Sequence, residues 1–90
     1  MITLIIGTEA ACGTNAAGAS TFGSATAVRL VNNSGTARLV TVIDEVGGST
    51  TIGTFTMPGN SVEVVEKKST EAIFAAANTV LGAKVGYTIS

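Results

Sequence analysis

Short runs of branched apolar residues alternate along this chain with breaks rich in Gly, Asn and Ser. The spacing predicts strands, because side chains on a strand alternate between two faces and turns collect residues that tolerate unusual backbone angles. After a short strand over Ile2–Ile6, the clearest pattern lies between Ala25 and Lys68. Strands are predicted over Ala27–Val31, Ala37–Ile43, Thr50–Met57 and Ser61–Lys67. Asn32-Asn33-Ser34-Gly35 suits a tight hairpin, and Val46-Gly47-Gly48-Ser49 forms the next turn. Met57-Pro58-Gly59-Asn60 fits a type II turn, with Pro at its second position and Gly at its third. Three short connections between four strands predict an antiparallel meander. The second predicted strand carries Leu39, Thr41 and Ile43 on one side and Val40 and Val42 on the other, which reads either as a strand covered on both faces or as Thr and Val tolerating exposure on one of them. On the fourth, Val62 and Val64 share a face opposite Glu63 and Val65, and Val64 is expected to be buried.

The flanking segments are less regular. From Ser69 to Ala77, Ser69 suits a helix cap, Glu71 a first turn and the alanines a helical body, so one or two helical turns are predicted. The same letters also allow a strand carrying Ile73 and Phe74. Gly82 interrupts the pattern before a closing strand over Lys84–Ile89. Between Ile6 and Ser24 the chain is mostly Gly, Ala, Ser, Thr and Asn, with Phe22 its only large side chain and Glu9 its only charge. Such a segment buries little apolar surface per ordered residue. It reads either as a flexible arm or as one ordered against a neighbouring subunit, with Ile2, Leu4 and Ile6 adding a strand to a partner sheet. The expected organisation is therefore a strand and extended arm over 1–24 and an all-β domain over 25–90, a small antiparallel sandwich or partly open barrel.

Composition narrows the function classes. Val, Ile and Thr account for 31 of the 90 residues, Leu for only four, and alanine for 13 of the apolar positions. Residues branched at Cβ favour pleated surfaces. A chain of this length makes one domain with a radius of gyration of roughly 12 Å. The net charge of −1 gives no basic excess for neutralising phosphates, so nucleic acid is not an expected partner. The uncharged stretch from Ala10 to Val28 is too rich in Gly, Ser, Thr and Asn to be a membrane span, and no basic flank makes Met1–Gly7 a signal peptide. The expected product is soluble and made without export.

Candidate chemistry is sparse. With no His and a single cysteine, Cys12, the chain has no imidazole base, no Cys-His pair, no internal disulfide and no thiolate zinc site. Asp44-Glu45 before Gly47-Gly48 lacks the alternating oxygen ligands of a calcium loop, and no Lys-Ser or Lys-Thr closes a glycine loop onto phosphate. No enzyme activity, cofactor or metal is expected. Glu66-Lys67-Lys68 at a strand end is either a solvated exit that discourages edge pairing or a salt-bridging contact to a partner.

The stretch Val62-Glu63-Val64-Val65-Glu66-Lys67-Lys68-Ser69-Thr70-Glu71-Ala72-Ile73-Phe74-Ala75, followed by Val80-Leu81-Gly82-Ala83-Lys84-Val85-Gly86-Tyr87-Thr88, resembles small virion structural proteins of marine and cyanobacterial tailed phages. The shared pattern is a strand ending in Glu-Lys, an acidic residue two places before an Ile, and a closing Gly-x-Lys-Val-x-Tyr strand; Arg29-Leu30-Val31-Asn32-Asn33 also fits. The likeness spans about Ala25 to Ile89 and rests on turns and core positions. It implies a non-enzymatic capsid decoration or cement protein, assembled into the virion in the host cytoplasm. The implied partners are the major capsid protein and further copies of the chain, clustered about a threefold axis. Expected contact residues are Ile2, Leu4, Ile6, Phe22, Glu66, Lys67 and Lys68. Two alternatives remain: a neck, tail or baseplate component, and a small carbohydrate-binding module for host attachment. The second is poorly equipped with aromatic platforms, having only Phe22, Phe55, Phe74 and Tyr87.

Overall fold

A computed structural model describes residues 2–88, with side chains described from 5 to 86. Eight strands and one short 3-10 turn follow in order: β1 (Ile2–Ile5), β2 (Ala10–Ala11), the turn at Ala16–Gly18, β3 (Ala27–Asn32), β4 (Arg38–Ile43), β5 (Thr51–Met57), β6 (Val62–Glu66), β7 (Ala72–Ala75) and β8 (Val80–Thr88). The strands form an antiparallel β-sandwich. Sheet I runs β1-β8-β3-β6, with β2 following β1 along the same edge of β8; sheet II runs β5-β4-β7. The radius of gyration is 12.1 Å, in line with the length.

The core lies between the sheets. Val28, Leu30 and Asn32 of β3 point inward from sheet I, and Val40 and Val42 of β4 and Ile73 and Ala75 of β7 meet them from sheet II. Met57 and Val80 complete this layer. The opposite face of β4 is covered as well: Ile43 packs with Ala72 and Phe74 of β7 and with Ala16 and Ala19 of the N-terminal segment. Burial on both sides extends over Thr41, Val42 and Ile43 and stops short of Leu39, which is 47% exposed on the outer side.

The predicted meander is not what forms. Only β4 and β5 make a hairpin, through the predicted turn, where Gly47 takes a φ of 74° and the Asp44 N–H bonds to the Thr50 carbonyl. The other two connections are arches that carry the chain from one sheet to the other, so β3 pairs with β6 and β8 and never with β4. Asn32 is the physical reason. Its fully buried Nδ2 donates to the carbonyls of Thr36 at 2.9 Å, Met57 at 3.1 Å and Pro58 at 3.2 Å, binding both arches to one amide. The arches also touch directly, the Asn60 N–H donating to the Ser34 carbonyl at 2.8 Å. A Cβ at Gly59 would collide with the Gly35 carbonyl, so Gly59 serves close approach, and the left-handed residue of that turn is Asn60, at a φ of 57°, in place of the type II geometry.

Three further expectations are corrected. The stretch predicted to turn helically, Ser69–Ala77, contains strand β7. Its capping signals are used in a tight turn, in which the Lys68 N–H donates to Glu71 Oε1 at 2.7 Å and the Glu71 N–H to the Lys68 carbonyl at 3.0 Å. Gly82 does not end an element but lies inside β8, which starts at Val80; a methyl at position 82 would stand 2.7 Å from the Phe22 ring. Val64 faces outward at 42% exposure, and it is Val65 that packs against the core. The closing strand was expected to reach Ile89, which lies outside the described residues.

The segment read as an arm is built into the sandwich. Past β2, Cys12 is buried, its thiol bonding to the Val80 carbonyl, and the chain then crosses to sheet II. There Gly13 and Ser20 bridge to Phe74 and Ile73, closing the free edge of β7. Phe22, Gly23 and Ser24 form one left-handed turn, φ 52°, 69° and 58°, closed by the Ala25 N–H on the Thr21 carbonyl. That conformation costs an aromatic residue about 1–3 kcal/mol, comparable to the 1.5–3 kcal/mol gained by burying its ring. Phe22 is buried over Gly82, so the strained turn is held by the core it completes.

Two consequences are measurable. Deleting residues 1–24 removes Cys12, Ala19 and Phe22 from the interior and uncovers β7, so the remaining chain is expected to lose cooperative melting by circular dichroism. In urea titrations Asn32→Ala should cost about 2–4 kcal/mol, and Asn32→Asp more, because a carboxylate at this buried position turns acceptors toward three backbone carbonyls.

Candidate functional site

The residues expected to make contacts do not converge on one surface. The backbone of Ile2 and Leu4 pairs with Thr88 and Gly86 of β8, while their side chains lie outside the described residues. Edge addition by β1 is thus made within the chain. Ile6 is half exposed, and Phe22 is a core residue instead of a contact. Glu66 and Lys68 are exposed, but Lys67 between them points inward at 6% exposure. Its ammonium donates to the Ala25 carbonyl at 2.6 Å and to the Lys68 carbonyl at 3.2 Å. Lys67 is therefore a structural cation tying β6 to the chain before β3, and the surface ion cluster reduces to Glu66 and Lys68. Burial holds the Lys67 ammonium below its usual pKa, and the nearby Glu71 carboxylate pulls the other way.

Ile6 and Phe22 do share one feature. With Gly7, Thr8, Ala10, Ser20, Gly23 and Lys84 they line an open cleft of about 320 Å³. Its one cation, Lys84, donates to the Gly23 carbonyl at 3.3 Å, and Ser20 Oγ accepts from the Phe22 N–H at 3.0 Å. The cleft offers an ammonium, two hydroxyls and apolar walls. Among the described residues no group of three or more Cys, Asp or Glu side chains is placed to hold a metal ion. No helix there is long and apolar enough to cross a membrane.

A second apolar surface is the outer face of sheet I. The register places Ala11, Leu81, Val31 and Val62 in one row across β2, β8, β3 and β6. The next row sets Ala83, Arg29 and Val64 side by side, and Arg29 reaches Glu9 at 3.9 Å. Val62 and Val64 are 47% and 42% exposed. The signal was present in the alternation of β6, but Glu63 and Glu66 stand on opposite faces of that strand, so charge did not mark the outward one.

The chain matches no family model, no curated protein and no solved structure.

Cys12 is a buried thiol rather than a reactive one. Burial pushes its pKa from 9.0 up to about 11, partly offset by a backbone hydrogen bond. A raised folded pKa gives stability that is complete below pH 9 and lost as the pH climbs toward 11. Lys67, with its pKa depressed, works in the opposite sense: its contribution is present above pH 10.5 and fades as the pH falls. Comparing the native chain with Cys12→Ala isolates the thiol. The variant is expected to lose less stability between pH 9 and 11, and a disulfide reagent at pH 8 should label native Cys12 far more slowly than the unfolded chain, because the buried thiol is both protonated and shielded.

Proposed function

We propose that this chain is a non-enzymatic structural component of a tailed-phage virion, most specifically a capsid decoration or cement protein. The observation that carries the reading is the outer face of sheet I, where Ala11, Leu81, Val31 and Val62 form an apolar row flanked by Val64 and the Arg29–Glu9 pair. A cement protein performs no chemistry; it binds by burying area at contacts repeated over a shell. A rigid sandwich suits that task, because its contact surface needs no ordering on binding. The resemblance of Val62–Ala75 and Val80–Thr88 to small virion proteins supports the same assignment. The partner on this face is the major capsid protein, and copies of the chain cluster about the shell's threefold positions.

Quantitative mass spectrometry of purified virions tests the reading. A decoration protein is expected near one copy per major capsid subunit or per capsomer. About a dozen copies or fewer would instead assign it to the neck, tail or baseplate, where symmetric rings set small copy numbers. Absence from virions would remove the virion role altogether. Val62→Asp with Val64→Asp should leave melting within about 1 kcal/mol of the native chain, since both positions are exposed, while abolishing binding to undecorated capsids. Undiminished binding would displace the contact from this face.

A further inference from the structure

Sheet II ends at β5, which among the described residues pairs only with β4. An exposed strand edge presents unpaired N–H and C=O groups, and proteins usually guard it with charge, proline or a covering segment. Two of the other edges are protected in those ways, whereas the β1 edge of sheet I, Ile2-Thr3-Leu4-Ile5, has neither charge nor proline. Gly13 and Ser20 cover β7, and β6 carries Glu63 and Glu66. β5, Thr51-Ile52-Gly53-Thr54-Phe55-Thr56-Met57, has no charge and no proline, and its first four residues are exposed. Its bulge, between Val42 and Ile43 of β4, lies at the start of the strand and leaves 53–57 in regular register.

We propose that β5 is a self-association edge, pairing antiparallel with β5 of a second copy about a two-fold axis through Thr54 and so continuing sheet II across both chains. This inference stands on the edge itself and not on the virion reading, and its two-fold contact is separate from any threefold clustering.

Parity and packing select the register. A two-fold axis normal to the sheet keeps inner faces on one side, so each residue must meet one of its own face, and the axis must pass through a residue. Gly53 and Phe55 both face inward, opposite Val42 and Val40. A Cβ at Gly53 would meet nothing within 4 Å, which leaves a hollow under the strand, while Phe55 beside it is only partly buried. With the axis through Thr54, each Phe55 lies opposite the Gly53 of the other copy, and its ring fills the hollow as aromatic residues cover glycines in paired strands. The same register brings Ile52, the unpaired residue at the bulge, opposite the other copy's Thr56, which itself neighbours Leu39 on β4. Ile52 and Leu39, 54% and 47% exposed in one copy, thereby join a single row. An axis through Phe55 would stack two rings and leave Gly53 against Met57, whose side chain is already fully buried. Sheet I is kept from joining in by the acidic side chains of β6. The contact is small beside a standard interface of about 1,600 Å², so the dimer is expected to depend on concentration.

Cysteine scanning of the full chain tests the register, with buried Cys12 left in place. Thr54→Cys puts two thiols opposite each other, within the Cα separation a disulfide needs, whereas Ile52→Cys and Thr56→Cys leave each thiol about 13 Å along the strand from its copy. Under mild oxidation Thr54→Cys is expected to give about tenfold more cross-linked dimer than either of the others, judged against the narrow geometry of the bond. Thr54→Lys, which sets like charges face to face at an exposed position, should halve the apparent mass in sedimentation while leaving the circular dichroism spectrum unchanged. Equal cross-linking at the three positions would overturn the proposal, as would an association state that Thr54→Lys leaves unaltered.

Discussion

One buried carboxamide sets the topology of this sandwich. Two arches carry the chain between the sheets side by side, and each brings backbone carbonyls up to the buried Asn32 side chain. Asn32, at the end of β3, shares its two amide N–H groups among three of them, on Thr36, Met57 and Pro58. Unpaired, such groups would each cost about 1–3 kcal/mol, enough in sum to consume much of a small domain's stability. The amide also bonds segments 25 and 26 residues apart in sequence, so it couples the arches into one unit. From that coupling follow the pairing of β3 with β6 and the placement of β4 and β5 in the opposite layer.

The strands and the class of fold were legible because alternation and Cβ branching report a local property, and it is the same whether a strand's neighbour lies beside it or across the core. The connections were not legible for that very reason. Asn32-Asn33-Ser34-Gly35 offers the small polar residues that a hairpin uses, and an arch uses them too; only the partner of the Asn32 side chain distinguishes the two. The capping residues of the predicted helix over Ser69–Ala77 were misleading in the same way. A carboxylate bonded to a backbone N–H stabilises any tight turn, and Glu71 does so immediately before a strand.

The N-terminal segment escaped for an energetic reason. Its low apolar content suggested that it has little to gain by folding, which holds when it is counted alone. In place it closes the edge of β7, covers the outer side of β4 with Ala16 and Ala19, and delivers Phe22 onto Gly82. Its small residues are what allow this: a Cβ at Gly13 would collide with the Gly18 carbonyl, so the crossing between sheets needs glycine at that point. Among the expected contact residues, Lys67 failed on similar grounds. A lysine beside a glutamate at a strand end looks solvated, but inward alternation on β6 carried its ammonium to the Ala25 carbonyl.

What is left exposed therefore matters more than what any single residue is. The chain uses its glycines, its one Asn-centred network and its N-terminal crossing to seal the interior and the β7 edge, and it uses Glu63 and Glu66 to guard β6. The sealing is selective: the β5 edge carries neither a covering segment nor a charge, and the outer face of sheet I leaves Val62 and Val64 exposed between Glu66 and the Arg29–Glu9 pair. Uncovered apolar rows and an unguarded edge are liabilities in a protein that acts alone, since both invite association. In a protein whose role is contact, they are the functional surfaces, and two different kinds of contact follow. The face buries side chains against a partner of any backbone geometry, whereas the edge accepts only another strand and fixes its register. A module with one of each can bind a foreign surface and a copy of itself at once, without either contact competing for the same residues.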